Sequence, residues 1–359
     1  MTEDTDETSR TRILFFSRGR GRGHALRDLM IAEHLSHQAS VDVQFVSYGT
    51  GASALRAAGR VIYDLKFPDD NPFIETIVSA TRLAYEQRPD LIIAHEEFAA
   101  LIAARSANIP ALFVTDWFLD PSHMFMKSLE LANEILFLED KGLFTEPPAL
   151  CGKVHYFGPI LRRMQYSRLD RERARQELGI GQNTVVVSCL PGTTDESSSP
   201  IARLVLEAYD SLKFEDKVLL WIDDANFIRV KEVLGERVDV RVRRVDWQVE
   251  QTMVASDVVI TKGTRNTLRE LHALGIQSIS ISHGKNWIDD VLANRLSTNA
   301  AFSARGLSAT ELADSMRLKV DLTRSSSGSS GAVGSSRTAE RVCERILAQI
   351  RSIEGNSIP

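Results

Sequence analysis

Residues 12–37 read RILFFSRGRGRGHALRDLMIAEHLSH, and this stretch decides the fold. Residues 12–17 form a short apolar run, and a loop of glycine and arginine follows it. From residue 25 to residue 37 the apolar residues recur at helical spacing, at Leu26, Leu29, Met30, Ile31 and Leu35. The stretch therefore predicts a β-strand, a glycine-rich loop and an amphipathic helix.

The same alternation continues along the first half of the chain. Apolar segments at 41–47, 90–95 and 111–115 have the length and composition of buried strands. Helical patterns lie near 52–58 and over 97–107. Strands that alternate with helices predict a parallel sheet that is covered by helices on its faces.

A second series of strands begins after Gly158 and Pro159, which interrupt the first series. Its predicted strands are 184–189, 217–222, 238–242, 257–261 and 277–282. The fold class predicted is therefore α/β, with two Rossmann-like domains. The predicted segments are a disordered tail (1–11), a first domain (12–160), a second domain (161–324), a flexible Ser/Gly linker (325–336) and a last helix (337–354) that returns to the first domain.

Composition narrows the function classes. Of the 359 residues, 43% are hydrophobic and 25% are charged, which is typical of a globular protein, and the net charge of −5 disfavours nucleic acid as a partner. Three widely spaced cysteines predict neither a disulfide framework nor a zinc site. With a polar N-terminus and no long apolar run, we expect a cytoplasmic protein, with peripheral contact at the inner membrane face left open.

The first loop is a candidate ligand site, because backbone N–H groups at a helix N-terminus attract negative charge. The alternative is a tight turn that uses glycine for its backbone freedom. A dinucleotide fingerprint would need glycine in place of His24 and an acidic residue in place of Ser47, so a dehydrogenase is disfavoured. The loop residues are Gly19, Arg20, Gly21, Arg22 and Gly23.

A second candidate turn lies in the other half of the chain. Lys262, Gly263 and Thr264 follow the strand at 257–261 and precede a helical segment that carries Glu270. This helix N-terminus suits a diphosphate.

The order of these features resembles the glycosyltransferase B superfamily, in particular the family of MurG and the plant galactolipid synthases, over nearly the whole chain. The family's first loop, which ends in Gly-Gly-His, is matched by Gly19, Gly23 and His24. Its junction of the type Gly-Asn-Pro-Val-Arg is matched by residues 158–162. Its nucleotide motif, Ala-Asp before a strand and Thr-x-x-Glu on the following helix, is matched from Ser256 to Glu270.

This resemblance implies an acceptor domain and a donor domain that face a cleft, a uridine nucleotide donor, and inversion at the anomeric carbon. It implies that Glu270 binds the ribose hydroxyls. It places the donor near Gly192, Thr193, Trp247, Asp289, Asp290 and Asn294. For the 192–193 loop a solvated turn, and for Trp247 a packed aromatic side chain, are the alternatives.

The chain departs from the family pattern at three places. Gly263 stands one position early, and Arg22 replaces a glycine of the first loop. Asp289, Asp290 and Asn294 lie where the family has Asp-Gln-Gln followed by Asn-Ala. The identity of the donor sugar therefore stays open.

Sugar transfer needs a base that removes the proton of the acceptor hydroxyl. His24 is the first candidate because histidine titrates near neutral pH, and Glu96 and Asp116 are carboxylate alternatives at strand ends. The only Asp-x-Asp sequence is residues 4–6, in the tail. We therefore predict a reaction without a metal and without a cofactor other than the nucleotide sugar itself.

The sequence thus predicts a hexosyl or N-acetylhexosaminyl transferase. The acceptor is a small molecule or is linked to a lipid, and Arg20 and Arg22 are candidates for binding an anionic group on it. The alternatives are a nucleotide-sugar 2-epimerase and a non-catalytic nucleotide-sugar sensor. The acceptor and the oligomeric state cannot be inferred from the residues.

Overall fold

The chain consists of two compact units, which a computed structural model describes in detail. The first unit comprises Met1–Arg162 and Gly334–Pro359, and the second comprises Arg163–Val333. The described residues are 10–20, 22–37, 41–67, 73–118, 126–161, 166–191, 198–223, 227–244, 249–282, 291–296, 298–325 and 336–356.

The first unit is built on a sheet of seven parallel strands. Their order is β3-β2-β1-β4-β5-β6-β7, so the chain first builds outward from β1 and then resumes on its other side at β4. The strands are β1 (Thr11–Ser17), β2 (Val41–Ser47), β3 (Ile62–Asp64), β4 (Leu91–His95), β5 (Ala111–Thr115), β6 (Glu134–Phe137) and β7 (Val154–Tyr156).

Helices cover both faces of this sheet, which explains why its central strands are apolar almost throughout. In β1, Ile13 and Phe15 pack into one core, and Leu14 and Phe16 pack into the core on the opposite face. The helices are α1 (Gly23–Ser36), α2 (Gly49–Ala57), α3 (Phe73–Gln87), α4 (Phe98–Ser106) and the short α5 (Met126–Leu129).

The last helix of the chain, α12 (Ser336–Asn356), belongs to the first unit. Its buried side chains, among them Val342, Ile346 and Ile350, share the core that contains Ile13 and Phe15. The expected return of the last helix to the first domain is confirmed.

The second unit repeats the plan with six parallel strands in the order β10-β9-β8-β11-β12-β13. Its strands are β8 (Val185–Leu190), β9 (Lys217–Asp223), β10 (Val240–Arg244), β11 (Val258–Thr261), β12 (Ser278–Ser282) and β13 (Asn299–Ser303). Its helices are α6 (Arg171–Glu177), α7 (Ser198–Asp210), α8 (Phe227–Leu234), α9 (Val249–Ala255), α10 (Arg265–Ala273) and α11 (Ala309–Ser325).

A buried ion pair anchors α6 in the second unit. Arg175 is only 1% exposed and donates to the carboxylate of Asp257 at 2.9 Å and to the carbonyl of Ala255 at 2.9 Å. Asp257 also accepts a hydrogen bond from the backbone N–H of Val186 at 2.8 Å. The Asp of the Ser256–Asp257 pair therefore acts as a structural link between α6 and the sheet.

The two parallel-sheet α/β domains confirm the predicted fold class. The predicted strands are all present, but the short strands β3, β6, β7 and β13 were not predicted, since three to five residues give little periodicity. Thr11 lies in β1 rather than in a disordered tail. Ser325 and Ser336 belong to helices, and the rest of the predicted linker lies outside the described residues.

Within the described parts of the chain, every helix is too short or too polar to cross a lipid bilayer.

Candidate active site

The first candidate site lies at the carboxyl ends of β1 and β4. These strands are neighbours in the sheet, with Ser17 paired to His95, although the chain runs from β1 to β2 and reaches β4 only later. At such a switch point the loops that leave the two strands go to opposite sides, and open α/β sheets bind their ligands in the crevice between them. The Gly/Arg loop follows the end of β1, and Glu96 follows the end of β4.

His24 and Glu96 meet in this crevice, as two of the three base candidates. The Nε2 atom of His24 lies 3.0 Å from Oε2 of Glu96. Thr115 donates a hydrogen bond to Oε1 of Glu96 at 3.4 Å, and a guanidinium nitrogen of Arg18 lies 3.5 Å from Oε2. The backbone of Glu96 has a φ of 52°, a left-handed conformation that residues other than glycine rarely adopt. Such strain is typical of functional positions.

The glycine at the start of the first loop has a packing reason. A Cβ atom at Gly19 would lie 2.4 Å from the ring of Tyr48, so a larger residue would displace that ring. The carbonyl of Gly19 also accepts hydrogen bonds from the N–H of Gly51 at 3.0 Å and the hydroxyl of Thr50 at 2.9 Å. The start of the loop is thus fixed against α2. Arg20 is exposed, Arg22 and Gly23 are half-buried, and Gly21 lies outside the described residues.

Asp116, the third base candidate, forms a buried ion pair. Its Oδ2 atom accepts from Arg27 at 2.7 Å, and both side chains are less than a tenth exposed. Because a paired carboxylate is a weaker base than an unpaired one, this geometry favours His24 over Asp116.

A second histidine, His95, lies in the same crevice and is not among the predicted site residues. His95 is fully buried, and its Nδ1 atom is hydrogen-bonded to Asp28 of α1. The rings of His24 and His95 meet edge to face, with centroids 4.8 Å apart. Two signals were available: polar residues at the end of the apolar run LIIAHE, and the four-residue spacing of His24 and Asp28, which places both on one face of a helix.

Burial controls the ionisation of this cluster. Burial raises the pKa of Asp28 to about 7 and that of Glu97 to about 7. Burial, followed by the charge of Arg27, holds the pKa of His95 well below its ordinary value. Tyr48 donates a hydrogen bond to Glu97 at 3.1 Å, and burial together with that carboxylate raises the pKa of the phenol. Two carboxyl groups of this cluster, Asp28 and Glu97, thus have pKa values near neutral pH.

The second candidate site lies at the corresponding position of the second sheet. β8 and β11 are neighbours with Leu190 paired to Thr261, and the sheet again builds outward to both sides from them. Gly263 follows at a φ of 86°, and a Cβ atom there would lie 3.1 Å from Cβ of Ser280. The backbone of this turn therefore requires glycine.

The turn leads into α10. Thr264 is its N-cap residue and is exposed, and Lys262 is half-buried. Glu270 is buried, at 9% exposure, and Asn294 is exposed in the segment 291–296. Five other predicted donor residues lie outside the described residues: Gly192, Thr193, Trp247, Asp289 and Asp290.

No protein-family model matches the chain. A sequence relative is an uncharacterized glycosyltransferase of Methanopyrus kandleri, which is 28% identical over 200 residues. The match spans 53% of this chain and 56% of that protein, so the chain covers about half of the relative's length.

Solved structures extend the likeness to both domains. MurG of Acinetobacter baumannii superposes with a TM-score of 0.64 at 12% identity and covers 95% of this chain and 99% of its own. The chain has the glycosyltransferase B fold. A UDP-GlcNAc 2-epimerase from Neisseria meningitidis, bound to UDP-GlcNAc, superposes with a TM-score of 0.62 at 13% identity, over 94% of this chain and all of its own. The predicted resemblance is confirmed, and the glycosyltransferase B fold is shared by transferases and epimerases.

Proposed function

We propose that this protein is an inverting glycosyltransferase that moves a hexosyl or N-acetylhexosaminyl group from a UDP-linked donor to a hydroxyl group of an acceptor. The acceptor is a small molecule or a lipid-linked one, and the reaction requires no metal. The observation that carries the proposal is the pair His24 and Glu96, held 3.0 Å apart at the β1/β4 crevice of a glycosyltransferase B fold.

The donor is assigned to the second domain. The N-terminus of α10 offers backbone N–H groups and the positive end of a helix dipole to a diphosphate, next to the amine of Lys262. Glu270 lies one and a half turns further along the same helix and would accept hydrogen bonds from the ribose hydroxyls. The nucleotide-sugar complex of the Neisseria epimerase shows that this fold can hold such a ligand.

His24 would act as the general base. When Nε2 donates its proton to Glu96, the lone pair is on Nδ1, which is buried and has no hydrogen-bond partner among the described residues. This nitrogen would become accessible to the acceptor hydroxyl when the imidazole ring rotates or when the residues that bury it move. Nδ1 takes the hydroxyl proton while the acceptor oxygen bonds to the anomeric carbon from the face opposite the diphosphate. The bond between that carbon and the diphosphate oxygen breaks, the electron pair leaves with the diphosphate, and the configuration inverts.

Glu96 then stabilises the imidazolium that forms, because a carboxylate favours the charged form of a neighbouring histidine. It also fixes the ring in one orientation, as the carboxylate of a catalytic triad does. The strained backbone of Glu96 is consistent with a side chain that must be held at one place.

An epimerase is the second candidate, because the Neisseria 2-epimerase shares the fold over the whole of its length. The two functions differ in one requirement. An epimerase converts the nucleotide sugar alone, whereas a transferase needs an acceptor before the sugar moves.

The test begins with a thermal-shift screen of nucleotide sugars, since a ligand at 100 times its Kd stabilises the native state by about 2.7 kcal/mol. The donor found in this way is then incubated with and without a panel of hydroxyl acceptors. We expect UDP release and a glycosylated product only with an acceptor. A new nucleotide sugar formed from the donor alone would establish the epimerase instead, and binding without turnover on any acceptor would indicate a sensor.

A further inference from the structure

The buried nitrogen of His95 has no role in the proposed transfer. Its ring is fully buried, and its Nε2 atom has no hydrogen-bond partner among the described residues. Buried polar atoms of native proteins are almost always paired, so an unpaired one calls for an explanation such as a bound ion, a bound water or a catalytic role. The neighbours of this nitrogen indicate which ligand it would take.

Three groups with metal-binding atoms converge here. One ring nitrogen from each of His24 and His95 and one carboxylate oxygen of Glu96 all lie within 4.8 Å of one another. Ligand atoms around a tetrahedral zinc ion are about 3.3 Å apart, given metal–nitrogen bonds of about 2.0–2.1 Å. On metal binding, the largest separation between two ligand atoms therefore has to shorten by roughly 1.5 Å. His24, whose side chain is 16% exposed, lies in the first turn of α1 and can turn its ring inward.

The surroundings of His95 match the outer shell of a metal site. Histidines that bind metals almost always donate their second ring N–H to a carboxylate or carbonyl, which fixes the tautomer. Asp28 occupies this position at Nδ1 of His95, and when that nitrogen carries the proton the lone pair is on Nε2. Thr115 donates to the other oxygen of Glu96 at 3.4 Å and so orients the third ligand.

Arg18 and Arg27 both oppose a cation at this place. Arg27 acts on His95 and is paired with Asp116 at 2.7 Å. The guanidinium of Arg18 lies 3.5 Å from Glu96, and its side chain is 18% exposed. A metal ion bound to Oε2 would replace the contact with Arg18, which is the more exposed partner of this largely buried pair.

We propose that His24, His95 and Glu96 form a binding site for a divalent transition-metal ion of the zinc class. Two imidazoles and one carboxylate suit zinc, cobalt or nickel, whereas magnesium and calcium prefer oxygen ligands. With three protein ligands, one coordination position stays open to water or to a hydroxyl group.

The metal has a consequence for the reaction, and this consequence rests on the proposed function. An ion bound through one ring nitrogen of His24 leaves the proton on the other nitrogen, so neither nitrogen can take the acceptor proton. Zinc and base catalysis by His24 therefore exclude each other, and zinc inhibits a transfer that needs no metal.

The binding test uses the full chain after treatment with a chelator. Co²⁺ is titrated and its visible ligand-field absorption recorded, and Zn²⁺ is then titrated calorimetrically in competition. We expect one site per chain, with a tetrahedral Co²⁺ spectrum that Zn²⁺ displaces and Mg²⁺ does not. His24→Ala and His95→Gln should abolish the spectrum. Asp28→Asn should weaken zinc binding by about 10–100-fold through the outer shell.

Two controls keep this test decisive. His155→Ala removes a half-buried histidine that lies outside the cluster and should leave the Co²⁺ spectrum unchanged. Circular dichroism identifies any variant that fails to fold. Because His24 is partly exposed, we expect His24→Ala to disturb folding least. An unchanged spectrum in folded His24→Ala and His95→Gln, or no bound Co²⁺ in the parent, would overturn the site.

Inhibition is measured separately, once turnover has been established. Zn²⁺ should lower the turnover of the parent in the concentration range in which it fills the site, and Mg²⁺ should not. If zinc fills the site while turnover stays constant, zinc binding does not block the reaction and His24 is not the base. The spectroscopic result then still decides the metal site on its own.

Discussion

The two candidate sites occupy equivalent positions in their sheets, but one is formed mainly by side chains and the other mainly by the backbone. At the β1/β4 crevice the candidate functional atoms belong to side chains, and other side chains hold two of them, as His24 is held by Glu96 and His95 by Asp28. At the β11–α10 turn the proposed binding groups are mainly backbone N–H groups, which follow one glycine with a positive φ.

This difference matches two chemical tasks. Moving a proton requires groups whose pKa lies near the working pH, and burial and pairing adjust the pKa values of side chains. Holding a diphosphate requires fixed partial charges, which a helix N-terminus provides without any ionisable group. We therefore expect changes in the first crevice to alter turnover and pH behaviour, and changes at the second turn to alter donor affinity.

The largest effect is expected for His24→Ala. Loss of a general base lowers rates by about 10²–10⁴-fold, so kcat should fall by that factor. The Kd of the UDP-sugar, measured by calorimetry, should stay within about twofold of the parent value, because the donor is assigned to the other domain.

His37→Ala is the matched control, since it removes an exposed histidine at the C-terminal end of the same helix. Its kcat should equal that of the parent. Near-normal turnover of His24→Ala would show that His24 is not the general base. A large loss of donor affinity would contradict the assignment of the donor to the second domain.

The next effect concerns stability against pH at Glu97. Burial raises its pKa from 4.5 to about 7, so between these values the native state keeps a proton that the unfolded chain has lost. The free energy of unfolding therefore falls as pH rises through this window. In Glu97→Gln, which cannot ionise and still accepts the hydrogen bond of Tyr48, this loss is absent. The parent should lose about 3 kcal/mol relative to the variant between pH 4.5 and 7.

Urea unfolding at several pH values measures this difference. Glu130→Gln, at an exposed position of the same domain, should show the pH dependence of the parent. Parallel curves for the parent and Glu97→Gln would mean that Glu97 is ionised in the native state and that the crevice is less isolated from water than its burial indicates.

The fold could be predicted because its signal is local and repeated. Most of the central strands are apolar runs of four to seven residues, each followed by a turn and a helical pattern, and the alternation implies parallel sheets. His24, Glu96 and Asp116 could be predicted as alternative candidates for the base. Glu96 and Asp116 directly follow strands and His24 follows the loop after β1, and such positions lie along one edge of a parallel sheet.

The partners of these residues could not be predicted. Whether Glu96 contacts His24 or Arg27 depends on the rotation of α1 against the sheet, and this rotation is decided by packing of residues distant in sequence. The pair of His95 and Asp28 was missed for the same reason, because its members are 67 residues apart. The sequence also contains no direct sign of the left-handed backbone at Glu96, a position where glycine would be expected.

A smaller effect is expected at Glu270, on donor affinity. A charged hydrogen-bond acceptor contributes about 1.5–3 kcal/mol, so Glu270→Ala should raise the Kd of UDP by about 10–100-fold. Glu270→Gln should have a smaller effect, since the amide still accepts one hydrogen bond. Glu236→Ala, at a highly exposed position of the second domain, is the control. Unchanged UDP affinity in Glu270→Ala would mean that the nucleotide is bound elsewhere.

The smallest effect tests whether the backbone builds the second site. Alanine at a φ near 80° costs about 1 kcal/mol, and at Gly263 its Cβ would also meet Cβ of Ser280 at 3.1 Å. Gly306 has a φ of 82° and nothing within 4 Å of an added Cβ. Gly306→Ala in the same domain therefore isolates the cost of the backbone conformation.

We expect Gly306→Ala to lower the free energy of unfolding of its domain by about 1 kcal/mol, and Gly263→Ala by about 2 kcal/mol. The additional loss at Gly263 should shrink when Ser280→Gly is combined with it, because the contact is then gone. Only Gly263→Ala should also weaken UDP binding, since it moves the N–H groups that we propose as the diphosphate site. Equal UDP affinity in both single variants would show that the turn is a structural element and not the seat of the donor.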